Sequence, residues 1–141
     1  MKWPNFLERK QILFSPKTLR EEAIRWGDRY MELQRLHDAV AFYGRAQHND
    51  GLRLILGMAV ESGDFLLFRE AVGGMSPPVE EHKPLSRLAE RAAELGRWHD
   101  ARKAYERLGD EKGVRRAMEA LAALMGNSPP AAAPEGSEHG G

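Results

Sequence analysis

Two His-Asp pairs, His37-Asp38 and His99-Asp100, are the residues whose types most suggest chemistry. Such a pair could hold a metal ion for phosphate-ester hydrolysis, but only if further histidines and a distant aspartate converge on the same cavity. The remaining histidines do not offer that set. His48 and His82 fall in expected turns and His139 in a C-terminal tail, and no two histidines stand at the i, i+4 spacing of a helical zinc site. Cysteine is absent, which excludes thiolate metal sites, disulfides and thiol catalysis. The acidic pairs Glu21-Glu22 and Glu80-Glu81 are adjacent in sequence and so point apart, a poor geometry for acid–base work. No glycine-rich phosphate-binding run occurs. The residues therefore predict no catalytic group, no cofactor and no metal.

The two His-Asp pairs have a simpler origin. They lie 62 residues apart, and sliding the chain against itself by that offset aligns residues 29–53 with 91–115 at 11 identical positions of 25. Arg29, Glu32, Leu33, Arg35, Ala39, Tyr43, Arg45, Gly51 and Arg53 recur as Arg91, Glu94, Leu95, Arg97, Ala101, Tyr105, Arg107, Gly113 and Arg115. An offset of 62 is two units of 31, the length of a helix-turn-helix solenoid repeat, so a diverged copy is expected between them, centred on residues 61–65. Both His-Asp pairs then sit at the start of a second helix, where an aspartate complements the helix dipole and the free amides. Repeat register accounts for them without catalysis.

Hydrophobic spacing supplies the elements. Ser15-Pro16 reads as an N-cap followed by a helix whose apolar face is Leu19, Ala23, Trp26, Tyr30 and Leu33. A shorter second helix follows with Ala39, Phe42, Tyr43 and Ala46. A third carries Leu52, Ile55, Leu56, Ala59 and Val60, and a fourth Phe65, Leu67, Phe68, Ala71 and Val72. Gly73-Gly74-Met75-Ser76-Pro77-Pro78 is the strongest internal break. Helix resumes near Lys83 with Leu85, Leu88, Ala92 and Leu95 inward, then Trp98, Ala101, Tyr105 and Leu108, and lastly Val114, Ala117, Met118, Leu121 and Met125. The spacing thus predicts an apolar N-terminal cap over residues 1–15, a helical repeat domain over 16–125 and a disordered tail over 126–141, which has no large apolar side chain.

Trp26-Gly27-Asp28-Arg29-Tyr30, followed by Ala39, Tyr43 and Ala46, is similar to the tetratricopeptide run of apolar-Gly-x-x-Tyr, then Ala, aromatic and Ala. Leu88-Ala89-Glu90-Arg91-Ala92 with Gly96, Ala101 and Tyr105 repeats it with small-residue substitutions. The chain departs from the pattern in replacing the proline that usually ends a unit by Gly51 and Gly113. The resemblance implies an all-α, right-handed solenoid of about three hairpins plus a closing helix, with first helices lining a concave groove. It also implies binding of a peptide or helix of a partner protein.

Arginines are the residues best suited to orient such a ligand. Arg25 and Arg29 stand one helical turn apart, as do Arg87 and Arg91, with Arg53 on the intervening first helix; on a groove face they could hold an acidic peptide. The bland alternative pairs them with Glu21, Glu22, Glu32, Glu90 and Glu94 at i±3 or i±4. Trp3, Phe6, Leu7, Ile12, Leu13 and Phe14 make the N-terminal segment apolar, suited to covering one end of the stack. Self-assembly into a homo-oligomer is the second function expected of such a chain. Lysine plus arginine equals aspartate plus glutamate, 21 each and interleaved, which argues against nucleic acid. The longest apolar run, residues 54–60, falls short of a bilayer span and no signal peptide is visible, so a cytoplasmic, non-membrane protein is expected.

Overall fold

The computed structural model describes residues 19–126. They are all α, with seven helices and no strand among the described residues: α1 Arg20–Glu32, α2 Leu36–Ala46, α3 Asn49–Ser62, α4 Phe65–Gly73, α5 His82–Glu94, α6 Trp98–Leu108 and α7 Glu111–Leu124. The predicted N-terminal cap, the Ser15-Pro16 helix start and the tail beyond Gly126 lie outside the described residues. Two compact units are formed, one from residues 19–58 with 67–79 and the other from 59–66 with 80–126.

In the first unit α1 packs on α2. Glu21 and Glu22 in the first turn of α1 and Arg29 in its last complement the helix dipole. Its buried face, Ala23, Trp26, Gly27 and Tyr30, recurs at steps of three, one and three, as one stripe of a 3.6-residue period requires. The Tyr30 and Phe42 rings stack across the hairpin with centroids 5.5 Å apart, and the Arg35 guanidinium lies over the Tyr30 ring, 5.3 Å from its centroid.

In the second unit α5 packs on α6 and α6 on α7. The core here is made of smaller side chains. Trp26, Tyr30 and Phe42 of the first unit correspond, 62 residues on, to Leu88, Ala92 and Ala104, all fully buried.

The correspondence is element for element. Adding 62 to the limits of α1, α2 and α3 gives those of α5, α6 and α7, with lengths of 13, 11 and 14 residues in both copies. The turns agree as well. After α1 the Arg35 amide donates to Tyr30 O and the Gln34 amide to Met31 O; after α5 the Arg97 amide donates to Ala92 O and the Gly96 amide to Ala93 O. These are Schellman closures, in which a left-handed residue lets the chain reverse while satisfying the last helical carbonyls. The same pair of bonds ends α2 and α6, through His48 to Tyr43 O and Asp110 to Tyr105 O, and ends α3 through Asp64 to Ala59 O.

At the matching turns after the first and second helices the left-handed residues are Gln34 and Gln47 in the first copy, at φ 60° and 53°, and Gly96 and Gly109 in the second, at φ 76° and 75°. A side chain at such a φ costs roughly 1 kcal/mol, less what glycine loses by its greater freedom in the unfolded chain. A Cβ at Gly96 or Gly109 would meet nothing within 4 Å, so the cost there is backbone alone. Gly96→Ala and Gly109→Ala are expected to lose about 1 kcal/mol each, whereas Gln34→Gly and Gln47→Gly gain up to about 1 kcal/mol. Urea unfolding midpoints of the four variants check this.

A tyrosine wedges each copy. A Cβ added to Gly27 would fall 2.5 Å from the Tyr43 ring and one added to Gly51 2.7 Å from it, so α1 and α3 close on the two opposite edges of a buried ring of α2. In the second copy Gly113 of α7 meets Tyr105 in the same way. The Tyr43 hydroxyl donates to Asp28 Oδ1 at 2.5 Å and the Tyr105 hydroxyl to Glu90 Oε2 at 3.1 Å, again 62 residues apart. Burial, and then the carboxylate beside it, raises each phenol above its usual value near 10, so both remain hydrogen-bond donors.

Five expected inward positions are corrected. Leu19, the residue directly before α1, is 65% exposed. Leu33 and Leu95 are 51% and 47% exposed, because each is the residue at which the helix ends and the 3.6-residue period no longer applies. Met118 and Met125 of the last helix are 51% and 71% exposed.

Candidate interaction face

The turn between α3 and α4 organises the second unit and fixes its arginines. A Cβ at Gly63 would fall 2.7 Å from Ala92 Cα, so the turn lies directly on α5 and admits only glycine. Arg91 Nε donates to Glu61 O at 2.9 Å, satisfying one of the last carbonyls of α3 and placing a cation at its negative end. The Arg87 guanidinium reaches the Glu61 carboxylate at 3.0 Å. From α6, Asp100 accepts a 3.1 Å bond from the Phe65 amide at the start of α4 and pairs with Arg97 at 3.2 Å. Asp100 thus acts at a helix N-terminus, but at that of α4 in addition to its own, a contact that sequence register alone does not reveal.

The His-Asp pairs do not converge. Asp38 pairs with Arg35 at 3.1 Å, and His37 Nδ1 lies 2.5 Å from Glu70 Oε1 of α4. His99 is exposed. No group of three or more metal-ligating side chains that could hold an ion occurs among the described residues.

Of the arginines proposed from the sequence, Arg25 is exposed and has no carboxylate within ion-pair distance among the described residues. Its counterpart 62 residues on is Arg87, 73% exposed at the side chain and engaged with Glu61. Arg29 lies 3.6 Å from Glu32 and Arg91 3.2 Å from Glu94, the i, i+3 pairs expected of a solvated face. Arg53 is paired with Asp50 at 3.3 Å, 60% exposed. Within each unit Arg25 and Arg29, and Arg87 and Arg91, share one helix face, one turn apart. Exposed pairs of this kind contribute about 0–1 kcal/mol, so an incoming carboxylate can displace them at little cost.

A shallow recess of about 380 Å³ lies where α1 begins and α2 ends, lined by Leu19, Arg20, Ala23, Arg45, Ala46 and Gln47. Arg20 Nε is committed to Ala46 O at 2.8 Å, which ties the two helix ends together across the recess. No helix among the described residues is long and apolar enough to cross a membrane.

No protein-family model, curated protein or solved structure matches this chain.

Proposed function

We propose that the chain is a non-catalytic protein–protein interaction module, a tetratricopeptide-like right-handed solenoid that receives a peptide or helix of a partner protein on the faces of its first helices. The observation that carries this reading is the recurrence of one three-helix module, α1–α3 and α5–α7, with the same limits, turns and tyrosine wedge 62 residues apart. Repeated hairpins present the same exposed side chains at regular intervals, which suits an extended ligand better than a small substrate. The repeated side chains are arginines: Arg25 with Arg87, Arg29 with Arg91, and Arg53 on α3. The ligand they suit is acidic, held by bidentate guanidinium–carboxylate bonds, with apolar contacts supplying most of the affinity. Asp38, paired with Arg35, and Asp100, engaged with the Phe65 amide and Arg97, support a structural role for the groups that most suggest chemistry. A cytoplasmic setting without nucleic-acid or membrane ligands remains the expectation from charge balance and sequence.

The test is capture of cross-linked partners from cytoplasm by the wild-type chain and by the Arg25→Ala, Arg29→Ala, Arg87→Ala, Arg91→Ala variant. Loss of two bidentate contacts predicts recovery reduced by at least about tenfold, while far-UV circular dichroism stays that of the wild type. Undiminished capture of the same partner by the folded variant would remove these arginines from the account.

A further inference from the structure

The two copies of the module differ at the junction between the start of the first helix and the end of the second. In the second copy Glu81, the residue before α5, is held by Arg107 in the last turn of α6. Arg107 Nε donates to Glu81 Oε1 at 2.9 Å and Nη2 to Oε2 at 3.3 Å, the bidentate fork in which a guanidinium holds a carboxylate best. In the first copy the arginine recurs as Arg45, in the last turn of α2, but the residue in the place of Glu81 is Leu19. Leu19 precedes α1 as Glu81 precedes α5, and the Ala23 amide donates to Leu19 O as the Leu85 amide donates to Glu81 O. The register of the two junctions agrees, and the acid is what the first one lacks.

Three further differences make the first junction roomier and more cationic. Ala23 and Ala46 stand where the second copy has Leu85 and Leu108, and these shorter side chains line the recess of about 380 Å³. Arg20 stands where the second copy has His82. Its Nε is held by Ala46 O at 2.8 Å, which fixes the guanidinium at the recess and leaves both Nη atoms without a further partner among the described residues. Arg20 and Arg45 thus both line the recess, and none of its lining residues is a carboxylate. The recess also lies at the positive end of α1, whose Leu19 cap offers the first-turn amides no side-chain acceptor.

We propose that this recess is a carboxylate-binding site, and that an acidic side chain of a partner protein supplies there the group that Glu81 supplies within the second copy. A partner's side chain suits it better than a free small acid. Sites for small molecules enclose most of their ligand, which a shallow recess at two helix ends does not. A side chain carried on a partner's surface draws the rest of its binding from the contacts around it. The site is separate from the arginines of the first-helix face, because Arg25 and Arg29 stand about 140° and 180° round α1 from Arg20. Its failure therefore leaves the peptide-binding reading standing.

Amide chemical-shift titration of the full chain tests it, with the peptide acetyl-Ala-Glu-Glu-Ala-amide as probe and its glutamine counterpart, acetate and inorganic phosphate as comparisons. The glutamate peptide is expected to shift the amides of residues 20–23 and 45–47 and to saturate below about 10 mM. The three comparisons are expected to bind at least about fivefold more weakly. Arg45→Gln leaves the bond from Arg20 to Ala46 in place and is expected to weaken the glutamate peptide at least about fivefold. Leu19→Glu places the second copy's carboxylate in the first, and is expected to compete from within the chain to a similar extent. Both positions are exposed, so circular dichroism of either variant should match the wild type. The absence of a saturable shift at those residues would overturn the proposal. So would undiminished binding by either variant, or glutamine peptide, acetate or phosphate bound as tightly as the glutamate peptide.

Discussion

Replacing Phe42 with alanine is expected to cost about 3–5 kcal/mol of folding stability. Phe42 is fully buried on α2, and its ring stacks on Tyr30 with centroids 5.5 Å apart; Tyr30 in turn meets Trp26 at 6.4 Å. Truncation removes the ring's transfer free energy and leaves a void that its neighbours fill only in part. The second copy shows what a full adjustment takes. There Ala104 stands in the place of Phe42, but Ala92 also replaces Tyr30 and Leu88 replaces Trp26, so three positions are reduced together. One substitution in the first copy cannot reproduce that arrangement. Domains of this size have about 5–15 kcal/mol in total, so the variant loses roughly a fifth or more of its stability. Urea unfolding measures it, and the Tyr30→Ala, Phe42→Ala double variant should cost less than the two single variants added. A loss under about 1 kcal/mol would contradict the aromatic core described for the first unit.

The Gly113→Ala variant is expected to lose about 1–3 kcal/mol by overpacking. Its Cβ would fall 2.3 Å from Tyr105 Cδ1 and 2.4 Å from Cγ, atoms at the root of a ring that is 2% exposed and cannot swing away as a flexible chain end would. On the other helix facing the tyrosine, Ala89 already carries a methyl where the first copy has Gly27. The ring therefore has no room on either side. Gly27→Ala, whose Cβ would fall 2.5 Å from Tyr43 Cε1, is expected to cost less, because the second copy already accommodates alanine at that position. The order of the two losses in parallel denaturant titrations is the check; a Gly113→Ala variant as stable as wild type would contradict the wedge.

Much of this architecture was legible before any coordinates. Identities at an offset of 62 located both copies, and the 3.6-residue spacing found all seven helices. Tyr43 and Tyr105 also stand out in the sequence, but Gly51 and Gly113 read there only as replacements for a proline, and their close approach to the two rings is visible in the structure alone. What escaped notice has physical reasons. Gln34 and Gln47 give no signal for left-handed backbone, although Gly96 and Gly109 at the matching positions could have indicated it. Leu33 and Leu95 keep the apolar period one step beyond the last helical residue, so periodicity assigned them inward. Local spacing pairs Arg87 and Arg91 only with carboxylates at i±3 and i±4, whereas Glu61 reaches them from the preceding hairpin, 26 and 30 residues away. Contacts between elements leave no trace in local spacing. The bond from the Phe65 amide to Asp100 was hidden for the same reason, since it joins residues 35 apart.

Site-resolved amide hydrogen exchange of the full chain tests the repeated three-helix module most directly. Protection factors over residues 20–62 and 82–124 are expected to superimpose at an offset of 62, with breaks at 36–38 and 98–100, the first-turn amides of α2 and α6 ahead of the bonded amides of Ala39 and Ala101. The closing amides of Arg35 and Arg97, and of His48 and Asp110, should be protected in pairs. Protection running unbroken through residues 36–38 or 98–100, or two patterns that fail to coincide at that offset, would contradict the repeat and the interaction surface built on it.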